Sequence, residues 1–188
     1  MIMTTRFVRA IGLAFLAALP VSTTAQAAQP AEAAPASDAI HATFEGKHLD
    51  LSTSWGDAGA CIELGDRIDC FRTERELLAA HPAAGDPAGQ RPAHSSRSSS
   101  CSSSLRLYRW NGYGGGTLYL TSRNIWLNLA NYGFDNDTSS YKVGACSSVF
   151  RSGSSGSGST YPGATWAWAR SSTMISGWNN VVSSVYIY

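Results

Sequence analysis

Gly133-Phe134-Asp135-Asn136-Asp137-Thr138-Ser139-Ser140 returns 44 residues later as Gly177-Trp178-Asn179-Asn180-Val181-Val182-Ser183-Ser184. Gly, an aromatic, two Asx residues, two free positions and a Ser pair recur in that order. A constant spacing marks a duplicated unit of about 44 residues, too short to bury a core alone and obliged to close one with its copy. The region from Cys101 to Tyr188 therefore reads as two supersecondary units around one shared core.

Short alternating runs flank the two boxes: Leu105-Arg106-Leu107-Tyr108, Thr117-Leu118-Tyr119-Leu120, Ala164-Thr165-Trp166-Ala167-Trp168 and Val185-Tyr186-Ile187-Tyr188. Alternation of apolar and polar residues is the pattern of a half-buried strand. About eight such strands, separated by Gly, Asn and Ser, predict a two-sheet, all-β sandwich. Composition agrees. With 188 residues, 44% hydrophobic and only 14% charged, the chain suits one modest domain plus appendages and is not disordered throughout. Eighteen Gly and so little charge exclude a helical bundle, whose surface needs many Glu, Lys and Arg.

Tyr108-Arg109-Trp110-Asn111-Gly112-Tyr113-Gly114-Gly115 spaces an aromatic, four residues, an aromatic, any residue and a Gly. This string resembles the βγ-crystallin Greek-key signature, in which the aromatic stacks over a folded hairpin and the Gly takes a backbone conformation closed to other residues. The resemblance covers 101–188 and implies a two-Greek-key, βγ-crystallin-like sandwich. In the second copy Phe150 and Tyr161-Pro162-Gly163 are separated by the Gly/Ser run Ser152–Ser159, which reads as a stretched hairpin with an inserted flexible tip. Within the superfamily the chain is similar to secreted bacterial proteins grouped with peptidase inhibitor family thirty-six, the metalloproteinase-inhibitor-like group. Cys-x8-Cys-Phe-Arg-Thr-Glu and Tyr-Gly-Phe-Asp-Asn-x-Thr-Ser-Ser-Tyr-Lys-Val-Gly carry that likeness.

The Asx-Asx-x-x-Ser-Ser boxes also resemble the superfamily's calcium loops. Calcium takes six to eight hard oxygen ligands, which Asx side chains, free carbonyls and Ser hydroxyls supply. The candidate ligand set is Asp135, Asn136, Asp137 and Ser139 from one box and Asn179, Asn180, Val181 and Ser183 from the other. The resemblance implies that each ion is shared, by the third-position carbonyl of one box and the fifth-position hydroxyl of its partner: Asp137 with Ser183, and Val181 with Ser139. Charge placement points the same way, because Asp135 and Asp137 are the only acidic residues between Cys101 and Tyr188. Asx and Ser also cap turns by bonding their own backbone; two boxes in register favour calcium over that bland account. With mostly neutral ligands, a dissociation constant on the order of 10⁻⁵ to 10⁻³ M is expected.

Upstream, residues 1–27 carry Arg6 and Arg9, an apolar run and Ala25-Gln26-Ala27, the form of a secretory signal peptide. The run is too short to span a bilayer, so the mature protein is expected to be secreted, extracellular and soluble. Residues 28–40 read as a disordered leader and 82–100 as a Ser/Pro-rich linker. Between them, 41–81 forms a small hairpin-helix unit. Gly65-Asp66 suits a two-residue turn; it sets Cys61 opposite Cys70 at a position where the strands' Cα atoms are closest, and a cross-strand disulfide becomes possible there. Thr73-Glu74-Arg75-Glu76 is a capping box that opens a short helix. Four cysteines in an exported chain allow three pairings, of which Cys61–Cys70 with Cys101–Cys146 is the expected one. A unit of this size buries little and is expected to depend on its disulfide.

These features imply a calcium-binding, βγ-crystallin-like exported protein and, through the resemblance, an inhibitor of metallopeptidases. Two other readings stand beside it: a module for cell-wall or other glycans, drawing on the aromatics Trp110, Trp126, Trp166, Trp168 and Trp178, and a calcium-stabilised structural protein. Residues 28–100 sum to −5 and 101–188 to +4, so the acidic unit could also serve as a shield or pro-region docked on the basic domain. No enzyme motif is recognised. Ser139-Ser140-Tyr141-Lys142 spells Ser-x-x-Lys but leads into a strand instead of heading a helix, and the histidines, at 41, 48, 81 and 94, all lie outside the larger domain. A monomer is expected. Scattered basic residues make nucleic acid a poor partner.

Overall fold

A computed structural model describes residues 41–85 and 104–188. The signal-peptide, leader and most of the linker assignments, and Cys101, fall outside the described residues.

The chain runs through β1 (His41–Phe44), β2 (Lys47–Leu49), β3 (Ala60–Glu63), β4 (Arg67–Phe71), α1 (Glu74–Ala80) and a 3-10 turn (Pro82–Ala84). The larger region follows with β5 (Leu105–Trp110), β6 (Gly114–Leu120), β7 (Trp126–Asn128), a 3-10 turn (Leu129–Tyr132), β8 (Ser140–Lys142), β9 (Ser148–Arg151), β10 (Arg170–Ser171) and β11 (Ser184–Ile187). One sheet has the order β10-β8-β5-β6-β3-β4-β1-β2, the other β7-β11-β9.

Within the duplicated region the topology is that of two interlocked Greek keys. The first copy contributes β5, β6 and β8 to the large sheet and sends β7 to the small one. The second contributes β9 and β11 to the small sheet, with Thr160 bridging to Arg151 beside β9, and sends β10 to the large one. Each copy thus lends one strand to the other's sheet, which is why neither unit can close a core by itself. The all-β Greek-key sandwich expected from the repeat is what the chain forms.

The hairpin register also follows the sequence reading. Cys61 faces Cys70 and Glu63 faces Ile68, Gly65 takes φ +91° in the turn, and Cys61–Cys70 is a disulfide with a Cα–Cα distance of 4.1 Å. Thr73 caps α1, its side chain accepting from Glu76 N at 3.2 Å. Glu76 answers by accepting from Arg72 N at 3.1 Å. Cys146 is disulfide-bonded; its expected partner lies outside the described residues.

The disulfide-tied hairpin and helix expected over 41–81 are present, but they join the larger region's sheet instead of standing apart. β3 pairs in parallel with β6, Cys61 opposite Leu118, so the N-terminal strands extend the large sheet. One core holds Ala42, Trp55, Cys61 and Ile68 together with Leu107, Leu118, Phe150 and Val185. On the opposite face α1 lays Leu77 over Ala60, Ile62 and Tyr119. The physical reason is a face that alternation wrongly assigns to solvent. Arg106, Tyr108 and Tyr119 are all buried, and both phenols donate to Glu74 Oε1, at 3.0 and 2.5 Å. A sheet with a helix on one side and a second sheet on the other is buried twice.

Candidate functional site

The two boxes meet as near-mirror partners. Asn136 and Asn180 both sit in the left-handed region, at φ 54° and 57°, a conformation Asn tolerates better than most residues. That turn lets each donate its backbone N–H across to the other box: Asn136 N to Val182 O and Asn180 N to Thr138 O, both 3.0 Å. Thr138 and Val182, at equivalent fourth positions, are fully buried and anchor the loops.

Side chains cross in the same manner. Ser139 Oγ donates to Asn180 Oδ1 at 3.0 Å and Ser183 Oγ to Asn136 Oδ1 at 3.3 Å. The last Ser of each box holds a folded hairpin. Ser140 Oγ donates to Trp110 O at 2.6 Å and accepts from Tyr113 N at 3.1 Å; Ser184 Oγ donates to Gly153 O at 2.6 Å and accepts from Gly156 N at 3.0 Å. In the first hairpin Tyr108 meets Tyr113 edge-on, centroids 5.5 Å apart, and Gly115 takes φ +76° against the Trp110 ring, as the signature implies.

The second hairpin corrects the reading of Ser152–Ser159 as a loose inserted tip. Ser152 N donates to Ser159 O at 3.1 Å and Ser155 N to Asn128 Oδ1 at 2.6 Å. By position, Arg151 and Gly156 stand where Tyr108 and Tyr113 stand in the first copy. A Cβ on Gly156 would lie 2.3 Å from the Trp126 ring, so Trp126 on β7 fills the place of the missing aromatic pair.

Of the eight candidate ligands, the fold brings Asn136 to Ser183 and Asn180 to Ser139. Asp135 and Asn179 stand exposed at the rim. The carbonyls of Asp137 and Val181 take no part in the crossed bonds. Two crossed pairs result, Asn136 with Ser183 and Asn180 with Ser139, and the third-position residues Asp137 and Val181 follow each Asn in the chain. All donors are hard oxygens, the chemistry calcium selects. Among the described residues no group of three or more His, Cys, Asp or Glu gathers in a metal-sized cluster, so any cation here relies chiefly on neutral oxygens.

Sequence reading missed Arg109. Its guanidinium pairs with the Asp137 carboxylate, donates to Gly133 O at 2.9 Å, and lies 4.8 Å from both the Trp55 and Phe134 rings. Burial pushes the Asp137 carboxyl above its ordinary value, and Arg109 pulls it back. Trp55 Nε1 donates to Tyr132 O at 2.7 Å, while Leu51 O sits so close to Gly133 that a Cβ there would clash at 2.1 Å. The one available signal was a charged residue inside an otherwise aromatic and Gly-rich string. Ser139 and Lys142 of the Ser-x-x-Lys string are engaged elsewhere, Lys142 Nζ lying 4.5 Å from the Tyr113 centroid.

No family model and no curated protein matches the chain. Among solved structures it is similar to a βγ-crystallin from Ciona intestinalis, with 20% identity over 45% of this chain and 99% of that one, at a TM-score of 0.38. A βγ-crystallin domain from Flavobacterium johnsoniae matches with 21% identity over 45% and 92%, TM-score 0.38. One from Clostridium beijerinckii matches with 18% identity over 45% and 97%, also at 0.38. None of these three is described as a peptidase inhibitor.

Proposed function

We propose that this chain is an exported, calcium-binding βγ-crystallin-like protein, monomeric, whose calcium is held by the paired Asx boxes. One observation carries the reading: each box presents its fifth-position hydroxyl to the second-position amide of the other, at 3.0 and 3.3 Å. Oxygens from both copies thereby come together, and a cation held between the boxes ties the two halves together. On binding, the serine hydroxyl would leave the Asn side chain and join the third-position carbonyl of the other box on the ion.

Calcium in this role is chiefly a stabiliser. An ion bound only by the folded state raises stability by about 2.7 kcal/mol at a concentration a hundredfold above the dissociation constant. The test is thermal unfolding of the full chain in calcium and in chelator, at constant ionic strength. The midpoint rises with calcium, and the rise disappears in the Ser139→Ala/Ser183→Ala double variant. An identical midpoint in both buffers contradicts the proposal.

For the biological target, the resemblance to the metalloproteinase-inhibitor-like group supports inhibition of a secreted metallopeptidase, and the bonded Ser152–Ser159 hairpin is a better-ordered loop for that purpose than the sequence implied. Glycan binding has its own support. Trp126, Tyr186 and Tyr188 form a chain of ring contacts at 5.3 and 5.1 Å, beside a recess of about 220 Å³ that Trp126, Asn131 and Ser122 help to line. Aromatic faces next to amide and hydroxyl groups are the usual equipment for sugars. Peptidase inhibition assays and pull-down on insoluble wall polymers separate the two.

A further inference from the structure

The two oxygen clusters are alike in backbone but not in side chains, and the difference is one ion pair. Arg109 on β5 faces the first box. At the equivalent place of the second copy, 43 residues on, stands Ser152, and the partner of Arg109, Asp137, is replaced by Val181. The first cluster therefore carries a guanidinium fixed beside it and the second does not.

We propose that Arg109 is a built-in cation that closes the Asn136–Asp137–Ser183 cluster to calcium, so that the chain takes one ion, at Asn180–Val181–Ser139. This inference rests on the calcium reading above. The guanidinium is not free to swing away. It is paired to Asp137, bonded to Gly133 O and capped by the Trp55 and Phe134 rings, which themselves pack at 5.6 Å, and desolvated contacts of a cation with aromatic faces are worth more than exposed ones. A divalent ion beside Asp137 would have to compete with this fixed guanidinium for the one carboxylate there, in a half-buried setting where like charges are poorly screened. The same pairing also withdraws the Asp137 carboxylate, which would otherwise lend its charge to the ion. Trp55 lies in the loop between β2 and β3 and not in the duplicated unit, so the inequality is imposed on the repeat by the segment that extends its sheet.

Equilibrium dialysis of the full chain against calcium alone, counting ions bound at saturation, tests this. Wild-type protein and Arg109→Lys, which keeps the charge, each bind one ion, and Arg109→Gln binds two. In the wild-type background Ser139→Ala lowers the affinity at least tenfold, whereas Ser183→Ala leaves it within twofold. The serine pair keeps the proposal testable should Arg109→Gln fail to fold. Two ions on the wild-type chain, one on folded Arg109→Gln, or a larger loss from Ser183→Ala than from Ser139→Ala would overturn the role of Arg109 while leaving calcium binding intact. No ion on any variant would overturn both.

Discussion

Arg109 and Asp137 form an ion pair that joins the first strand of the Greek-key region to the first Asx box, and the N-terminal Trp55 covers the guanidinium. Three stretches far apart in sequence thus meet at one charge. That meeting explains why the segment 41–85 cannot be treated as an appendage: it supplies a ring to the site region, four strands to the large sheet and a helix to its outer face.

Thr138 Oγ1 is buried and has no hydrogen-bond partner among the described residues, while the second copy places Val182 at the same position. A buried hydroxyl without a partner costs stability that an isosteric methyl does not. Thr138→Val is expected to gain about 1 kcal/mol, read as a shift of the urea midpoint at unchanged slope. A loss of stability would mean that the hydroxyl is bonded after all.

Glu63 is buried, yet its carboxylate accepts from Gly65 N at 2.6 Å, from Thr121 N and Ser122 N at 2.9 Å each, and from the Ser122 hydroxyl. It pins the β3–β4 turn to the chain leaving β6. Glu63→Ala strands these donors, so a destabilisation of about 3 kcal/mol is expected in denaturant unfolding. Glu63→Gln, which retains one acceptor oxygen, should cost less.

Removing the Cys61–Cys70 bridge gives a sharp contrast between an isolated hairpin and one built into a sheet. The closed loop is short, and its loss costs about 2–3 kcal/mol in the chain-entropy account. Because β3 is paired on both sides and β4 with β1, the Cys61→Ala/Cys70→Ala variant is expected to stay folded, with a near-ultraviolet circular dichroism spectrum of native form. Collapse of 41–85 alone would favour the separate-unit picture.

Much of this architecture is legible in the residues themselves. The recurrence of Asx-Asx-x-x-Ser-Ser fixes two copies and their contact, Gly65-Asp66 fixes the cysteine register, and Tyr108 to Gly115 fixes the folded corner. What the string does not disclose is long-range. Leu105-Arg106-Leu107-Tyr108 alternates like a half-exposed strand, but Tyr108 and Tyr119 find their partner in Glu74, more than thirty residues earlier. Ala60–Glu63 is too short to announce a parallel strand. Arg109 looks like a spacer until the packed Trp55 and Phe134 rings are seen against its guanidinium.

Three phenols should make the fold sensitive to alkali. Burial raises the Tyr119, Tyr132 and Tyr141 hydroxyls above their ordinary value near 10, helped by Glu74, the Glu63 charge and Tyr161 respectively. Unfolded, these groups release their protons near pH 10; folded, they keep them. Above that pH the unfolded state binds fewer protons, and stability falls as pH rises. Ultraviolet titration is expected to show these three tyrosines ionising only with unfolding, and Tyr119→Phe to lessen the alkaline slope.

The central claim is that oxygens from both Asx boxes converge on calcium. A crystal structure of the full chain grown in calcium tests it most directly. The account predicts an ion bonded to Val181 O and Ser139 Oγ at about 2.3–2.6 Å, with the Ser139–Asn180 hydrogen bond broken. Calcium-saturated crystals in which Ser139 and Ser183 still donate to Asn180 and Asn136, with no ion between the boxes, would contradict it.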